Sequence, residues 1–143
     1  MTDDGTAGYS RTPLVTKLGV KSGARVLLME APDDYRTWLA PLPAGVTFAT
    51  DRRTRGADVV HLFVTTLAAL DKQLPHARQA MNPAGALWVS WPKKASKVPS
   101  DVSENLIRDR ALKTDLVDVK VCAVTEVWSG LKFVIPVKDR PKK

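Results

Sequence analysis

Lysines crowd two short segments of this chain: Lys93 and Lys94 with Lys97, and Lys132 just after Trp128-Ser129-Gly130. Ammonium donors beside a small, flexible turn are a chemical means of holding an anion. The same lysines would equally serve a solvated loop, with Trp91 and Trp128 closing the core beneath them. Asp33 and Asp34 suggest acid–base chemistry, but carboxylates in the first turn of a helix are explained by the helix dipole alone. His61 lies in an apolar run between Val59 and Phe63, the setting of a satisfied core histidine. Cys122 has apolar neighbours with Lys120 close by, and nothing there lowers a thiol pKa, so it reads as a small packing residue. Ser90, Ser96, Ser100 and Ser103 lack the nucleophile elbow and the His-Asp partners of a hydrolase.

Composition narrows the setting of these groups. The chain has 143 residues, enough for one domain with a sizeable core, and 26% charged residues, which is ordinary folded-protein usage. One cysteine and two histidines exclude an internal disulfide and leave no multi-cysteine zinc site, so no metal is expected. No apolar run approaches the ~20 residues that span a bilayer, and the acidic start, Met1 to Gly5, does not resemble a secretory signal. A cytoplasmic protein without a membrane partner is the expectation. The net charge of +7 admits an anionic small molecule, an acidic protein or nucleic acid as partner. No aromatic-and-basic stripe or reading helix accompanies that charge.

The elements that must position these residues alternate. Thr12-Pro13 opens a short helix through Leu14, Val15 and Leu18, which Gly19 ends. Arg25 to Glu30 is a continuous apolar run of strand length, as in a strand covered on both faces. Pro32-Asp33-Asp34 opens a second helix with Tyr35, Trp38 and Leu39, ended by Pro41 and Pro43. Val46 to Ala49 and Ala57 to Val64 follow as strands. Thr66 to Met81 has helical spacing, with Pro75 expected to kink or split it. Asn82 to Gly85 is a turn, Ala86 to Trp91 a strand, and Pro92 to Pro99 a basic loop. Asp101 with Glu104 predicts a capping box for a helix through Ala111. Val117 to Ala123 alternates as an edge strand, and Leu131 to Val137 is its antiparallel partner. Residues 1–143 form a single domain, with 1–10 and 138–143 as flexible tails.

That order resembles the class I methyltransferase variant of the Rossmann fold, which closes on such a hairpin. Lys21-Ser-Gly-Ala-Arg-Val-Leu-Leu resembles the lead-in to its first strand, Ala57-Asp-Val-Val-His-Leu-Phe-Val a later strand, and Met81-Asn-Pro-Ala-Gly-Ala-Leu-Trp-Val-Ser a turn and strand beyond. The resemblance implies a truncated three-layer α/β sandwich of about six strands. Their order would be second, first, third, fourth, sixth, fifth, with only the sixth antiparallel. One helix and one strand of the usual set are missing between Ala49 and Ala57. Either an extended crossing or an antiparallel pairing of residues 46–49 with 57–64 satisfies the short link. Gly8-Tyr-Ser, Leu87-Trp-Val-Ser-Trp-Pro-Lys-Lys and Glu126-Val-Trp-Ser-Gly-Leu-Lys further resemble an uncharacterised bacterial domain-of-unknown-function family, from which no activity follows.

A cofactor loop of this fold needs glycines just after the first strand, so that the backbone turns sharply and approaches the ligand. Here the stretch is Glu30-Ala31-Pro32-Asp33-Asp34, with Glu30, Pro32 and Asp34 where glycines would stand. Proline removes an amide donor and the carboxylates repel phosphate. The loop reads as degenerate and no cofactor is expected, although S-adenosylmethionine, which has no phosphate, is not excluded by charge. The expectation is therefore a non-catalytic binding or regulatory module. Its anionic ligand would sit at a rim of Lys93, Lys94, Lys97, Trp128, Ser129, Gly130 and Lys132. The alternatives are a small S-adenosylmethionine-dependent methyltransferase with an altered loop, and a structural partner subunit.

Overall fold

The computed structural model describes residues 12–140. Six strands form one sheet in the order β2-β1-β3-β4-β6-β5. They are β1 (Arg25–Met29), β2 (Thr47–Ala49), β3 (Ala57–Phe63), β4 (Met81–Pro92), β5 (Val117–Ala123) and β6 (Trp128–Val134). Strands β2, β1, β3 and β4 pair in parallel, and β6 runs antiparallel to both β4 and β5. The order expected from the sequence is the order observed, and the proposed antiparallel pairing of β2 with β3 does not occur.

Four helices sandwich the sheet: α1 (Leu14–Lys17), α2 (Tyr35–Leu39), α3 (Leu67–Ala80) and α4 (Glu104–Leu112). One face packs Leu27, Val60, Leu62, Leu87, Val89, Leu131 and Phe133 beneath α3 and α4. The other packs Val26, Leu28, Val59, Phe63 and Trp88 beneath α1 and α2. A strand buried on both faces must read as a continuous apolar run, which is why Arg25 to Met29 shows no alternation.

The short link from β2 to β3 works because β2 is short. Ala49 lies level with Leu27, and Val59 with Val26, so Ala57 enters only about 10 Å lower and two strands, about 10 Å, across. Residues 50–56 can span about 24 Å when extended. Arg25 steadies the crossing: its amide donates to the Asp58 carboxylate at 2.9 Å and its guanidinium to the Arg55 carbonyl at 3.4 Å.

Several local expectations are corrected. Asp101 does not cap the helix it precedes. Its carboxylate accepts the Leu67 amide at 2.6 Å, capping α3 together with Thr66, whose hydroxyl accepts from Ala69. Ser103 takes the N-cap of α4, accepting from Leu106 at 3.3 Å. At α1 the N-cap residue is Pro13, one residue later than expected, and its own side chain makes no capping bond. Pro75 does not split α3, which runs unbroken from Leu67 to Ala80. The proline and Asp71, whose carbonyl loses its donor, are both exposed, so water can serve that carbonyl.

The Asn82–Gly85 turn lies inside β4 rather than before it. Met81 pairs with Ala57 and Ala86 with Val59, so four residues bulge opposite Asp58. Residues 137–139 form a single 3₁₀ turn, and Arg140 donates to the Ile135 carbonyl, so this part of the expected tail is anchored. The tail of residues 1–10 and the Gly8-Tyr-Ser phrase lie outside the described residues. No helix among the described residues is long and apolar enough to cross a membrane.

Candidate functional site

At the carboxyl edge of β1 the chain turns at Glu30, whose φ is 61°. A side-chain-bearing residue in that left-handed region costs about 1–2 kcal/mol, which is why glycine is the usual choice there. The backbone thus makes a glycine-like turn without the glycine. Beside it opens a cavity of about 790 Å³, lined by Leu28 to Asp33, Tyr35, Arg36, Thr50, Arg52, Lys72 and Gln73. A second cavity of about 450 Å³ shares Glu30, Lys72 and Gln73 and extends past Phe63, Val64, Thr65 and Ala69 to Trp128. The two form one cleft along the ends of the parallel strands, where open α/β sheets bind their ligands.

The charge of the cleft is not what the loop alone implied. Glu30 and Asp33 bring two carboxylates, but Arg36 from α2, Arg52 from the crossing and Lys72 from α3 bring three cations. The lost glycines have not closed the space either. Arg36 lies over the Phe48 ring, 4.8 Å from its centroid, which holds the guanidinium at the edge of β2. Gln73 carries a buried Oε1 with no hydrogen-bond partner. A buried acceptor left unpaired costs roughly 1–3 kcal/mol, so it marks a place where a donor is wanted.

Behind the cleft a polar chain crosses the sheet. Tyr35 Oη lies 2.8 Å from His61 Nδ1, and His61 Nε2 lies 2.7 Å from Ser90 Oγ. All three residues are buried. Burial pushes the His61 pKa down to about 3 and raises that of Tyr35, so both side chains are neutral around pH 7. His61 stacks on Phe63 at 4.4 Å and Tyr35 packs edge-on to both rings. This histidine is a satisfied core group, as its sequence setting implied.

The rim residues expected to act together are divided between the cleft, an exposed 3₁₀ turn and the face of β6. Lys93 is tied to the hairpin, its amide donating to the Val127 carbonyl at 2.7 Å. Lys94 begins a 3₁₀ turn that ends at Lys97, itself at φ 61°, and both are exposed. Trp128 reaches the cleft and packs edge-on against Phe63 at 5.0 Å. Ser129 and Gly130 lie in β6, opposite Trp91 and Ser90. Gly130 is therefore no flexible turn. Its glycine is a packing requirement, since a Cβ there would meet Val124 Cγ2 at 3.0 Å and Trp88 Cε3 at 3.1 Å. Lys132 stands further down β6, in register with Trp88 and Lys120, away from Lys94 and Lys97.

Of the loop residues, Glu30 to Asp33 line the cleft, while Asp34 stands at the N-cap of α2 without capping through its side chain. Thr50, Arg52, Lys72 and Gln73 were not foreseen. No sequence signal marked them: Lys72 and Gln73 fall between Leu70 and Leu74, whose i, i+4 spacing is unbroken. Among the described residues, no three His, Cys, Asp or Glu side chains cluster as metal ligands.

No family model and no curated protein sequence matches the chain. Solved structures do. A protein of Sulfolobus solfataricus assigned to the type 11 methyltransferases aligns with a TM-score of 0.63 at 11% identity, over 90% of this chain and 93% of its own. A SAM-dependent O-methyltransferase of Thermotoga maritima aligns at 0.59 and 10% identity, over 91% of this chain, which spans 65% of that enzyme's length. DhpI in complex with SAH aligns at 0.58 and 13% identity, over 85% of this chain and 81% of its own. At such identities the likeness is one of architecture, and this chain is built on the methyltransferase-like Rossmann fold.

Proposed function

We propose that the protein is a small S-adenosylmethionine-dependent methyltransferase, with its cofactor held in the cleft between Glu30 and Gln73. The observation that carries this reading is the open cavity of about 790 Å³ beside a glycine-like turn at the end of the first strand. It lies where ligands of this fold class sit. SAM or SAH is named in complexes of several similar structures, which supports the choice of ligand.

The residues present fit the group. Glu30 and Asp33 suit its positive charges, and Arg36, Arg52 and Lys72 suit a carboxylate. The orphan Gln73 Oε1 suits an amine or hydroxyl donor. When bound, the cofactor supplies a methyl group activated on sulfur. The chain's part is to bind and orient it. His61, enclosed and neutral, takes no proton from the cleft, which leaves Glu30 and Asp33 as the carboxylates that could.

A second reading is a non-catalytic or regulatory module for an anionic ligand. It is supported by the three cleft cations, which outnumber the two carboxylates. Calorimetric titration with S-adenosylmethionine and S-adenosylhomocysteine separates the two. Saturable micromolar binding that Glu30→Arg abolishes supports the cofactor reading. Absence of heat for both ligands, in folded protein, overturns it and leaves the anion module.

A further inference from the structure

Of the nine arginines among the described residues four pair with a carboxylate, against one of the ten lysines. Arg53, Arg78, Arg108 and Arg110 engage Asp51, Asp115, Glu104 with Asp118, and Asp71 with Asp109. Among the described residues only one lysine, Lys113, joins an ion pair. Part of the unpaired charge lies on one surface, the face of β6 and β5 beside α1, apart from the cations of the cleft.

Trp88 is the hub of that surface. Its indole donates to the Leu18 carbonyl at 3.0 Å, which sets the end of α1, with Lys17, over the sheet. Lys120 Nζ lies 6.0 Å from the Trp88 ring, and Lys132 stands between Lys120 and Trp88 in the register. A groove of about 670 Å³ runs beside them, lined by Thr12, Thr16, Lys17, Lys120, Val121, Cys122, Ala123 and Ser129. Lys93 and Lys17 are close enough to act on Cys122, and Lys21 on Lys132. Five lysines thus run from the loop before β1 to the loop after β4.

That distance is about the height of a seven-residue strand, on the order of 20 Å. Lys120 and Lys132 share one level, so the ammoniums stand roughly 5–7 Å apart along this height, within reach of alternate phosphates on a strand that carries one per about 3.4 Å of axis. Lysine is a point charge without the planar fork of arginine, which suits phosphate contact rather than base reading. Trp88 is fully buried, so it offers no stacking platform to bases. Lysine stems shielding an apolar sheet face would account for one or two of these residues. They do not account for five like charges, when among the described residues only lysines act electrostatically on Cys122 and Lys132.

We propose that the surface formed by Lys17, Lys21, Lys93, Lys120 and Lys132 binds the phosphate backbone of a single nucleic-acid strand with little sequence preference. The proposal stands apart from the cofactor reading, since the groove shares no lining residue with the cleft.

The test is fluorescence anisotropy with a labelled 20-nucleotide single-stranded RNA and its DNA counterpart, from 50 to 200 mM salt. Five phosphate contacts predict a log–log slope near −3.5, at about −0.7 per contact. The triple variant Lys17→Gln/Lys21→Gln/Lys120→Gln should weaken binding at least tenfold and bring the slope to about −1.5. The control Lys94→Gln/Lys97→Gln/Lys138→Gln removes equal charge elsewhere and should change neither. Cys122, the only cysteine, gives a second readout at the groove itself. Bound oligonucleotide should protect it from a neutral thiol reagent. Equal weakening in the two triple variants, or unprotected Cys122 at saturation, overturns the proposal. So does competition by poly-glutamate as effective as by unlabelled oligonucleotide, which would assign the surface to an acidic protein.

Discussion

Tyr35 Oη and His61 Nδ1 meet at 2.8 Å inside the sheet, joining the helix after the Glu30 turn to the strand beside it. With His61 Nε2 on Ser90 Oγ, both ring nitrogens are used and the ring stays neutral. The folded pKa of about 3 lies below the unfolded value near 6.5, so between those limits the unfolded chain binds a proton that the native one does not. Stability should therefore fall as pH is lowered from 7 to 5, by up to about 1.4 kcal/mol per unit below 6.5. In His61→Gln that part of the slope should vanish. Urea unfolding at several pH values measures both, and parallel curves for the two proteins would refute the assignment.

Glu30 holds a backbone conformation that glycine adopts without strain. Glu30→Gly should raise stability by about 0.5–1 kcal/mol, the left-handed penalty less the entropy of the added glycine. Glu30→Val should lower it. Thermal denaturation of the pair reads the sign directly.

Gln73 keeps an unpartnered buried oxygen at the meeting of the two cavities. Gln73→Leu removes that acceptor and should stabilise the free protein by about 1 kcal/mol. Binding of S-adenosylmethionine should weaken at least tenfold in the same variant. A free protein destabilised by the change would show that Gln73 serves packing instead.

Asp101 caps α3 across 34 residues of sequence, and Ser103 caps α4. Asp101→Ala should cost about 1 kcal/mol and speed amide exchange at Leu67, while α4 keeps its protection. Faster exchange confined to α4 would restore the capping box expected from sequence.

A Cβ at Gly130 would press on the side chains of Val124 and Trp88, which would have to give by a few tenths of an ångström. Gly130→Ala should destabilise by about 1–3 kcal/mol, as overpacking does. Chemical denaturation measures this, and an unchanged midpoint would show that Val124 and Trp88 give way to a methyl group.

The alternating elements were legible in the sequence because they follow from local pattern, whereas the strand order was what the resemblance to the methyltransferase variant of the Rossmann fold implied. Continuous apolar runs at Arg25 to Met29 and Ala57 to Phe63 report burial on two faces, and alternation at Val117 to Ala123 reports an edge. Other features depended on residues far apart in the chain. The carboxylate of Asp101 had two amides within reach, and only the packing of α3 against the following loop selected Leu67. Arg36, Arg52, Lys72 and Gln73 look like solvated polar positions until the crossing and α3 bring them to one cleft. The five lysines lie between positions 17 and 132, and a strand register joins what spacing cannot. Sequence determined which strands are buried on both faces, because hydrophobic periodicity is local, but not the orientation of β5, whose Val117, Val119 and Val121 are exposed. Tertiary structure decided which charges meet, because that depends on the pairing of distant strands.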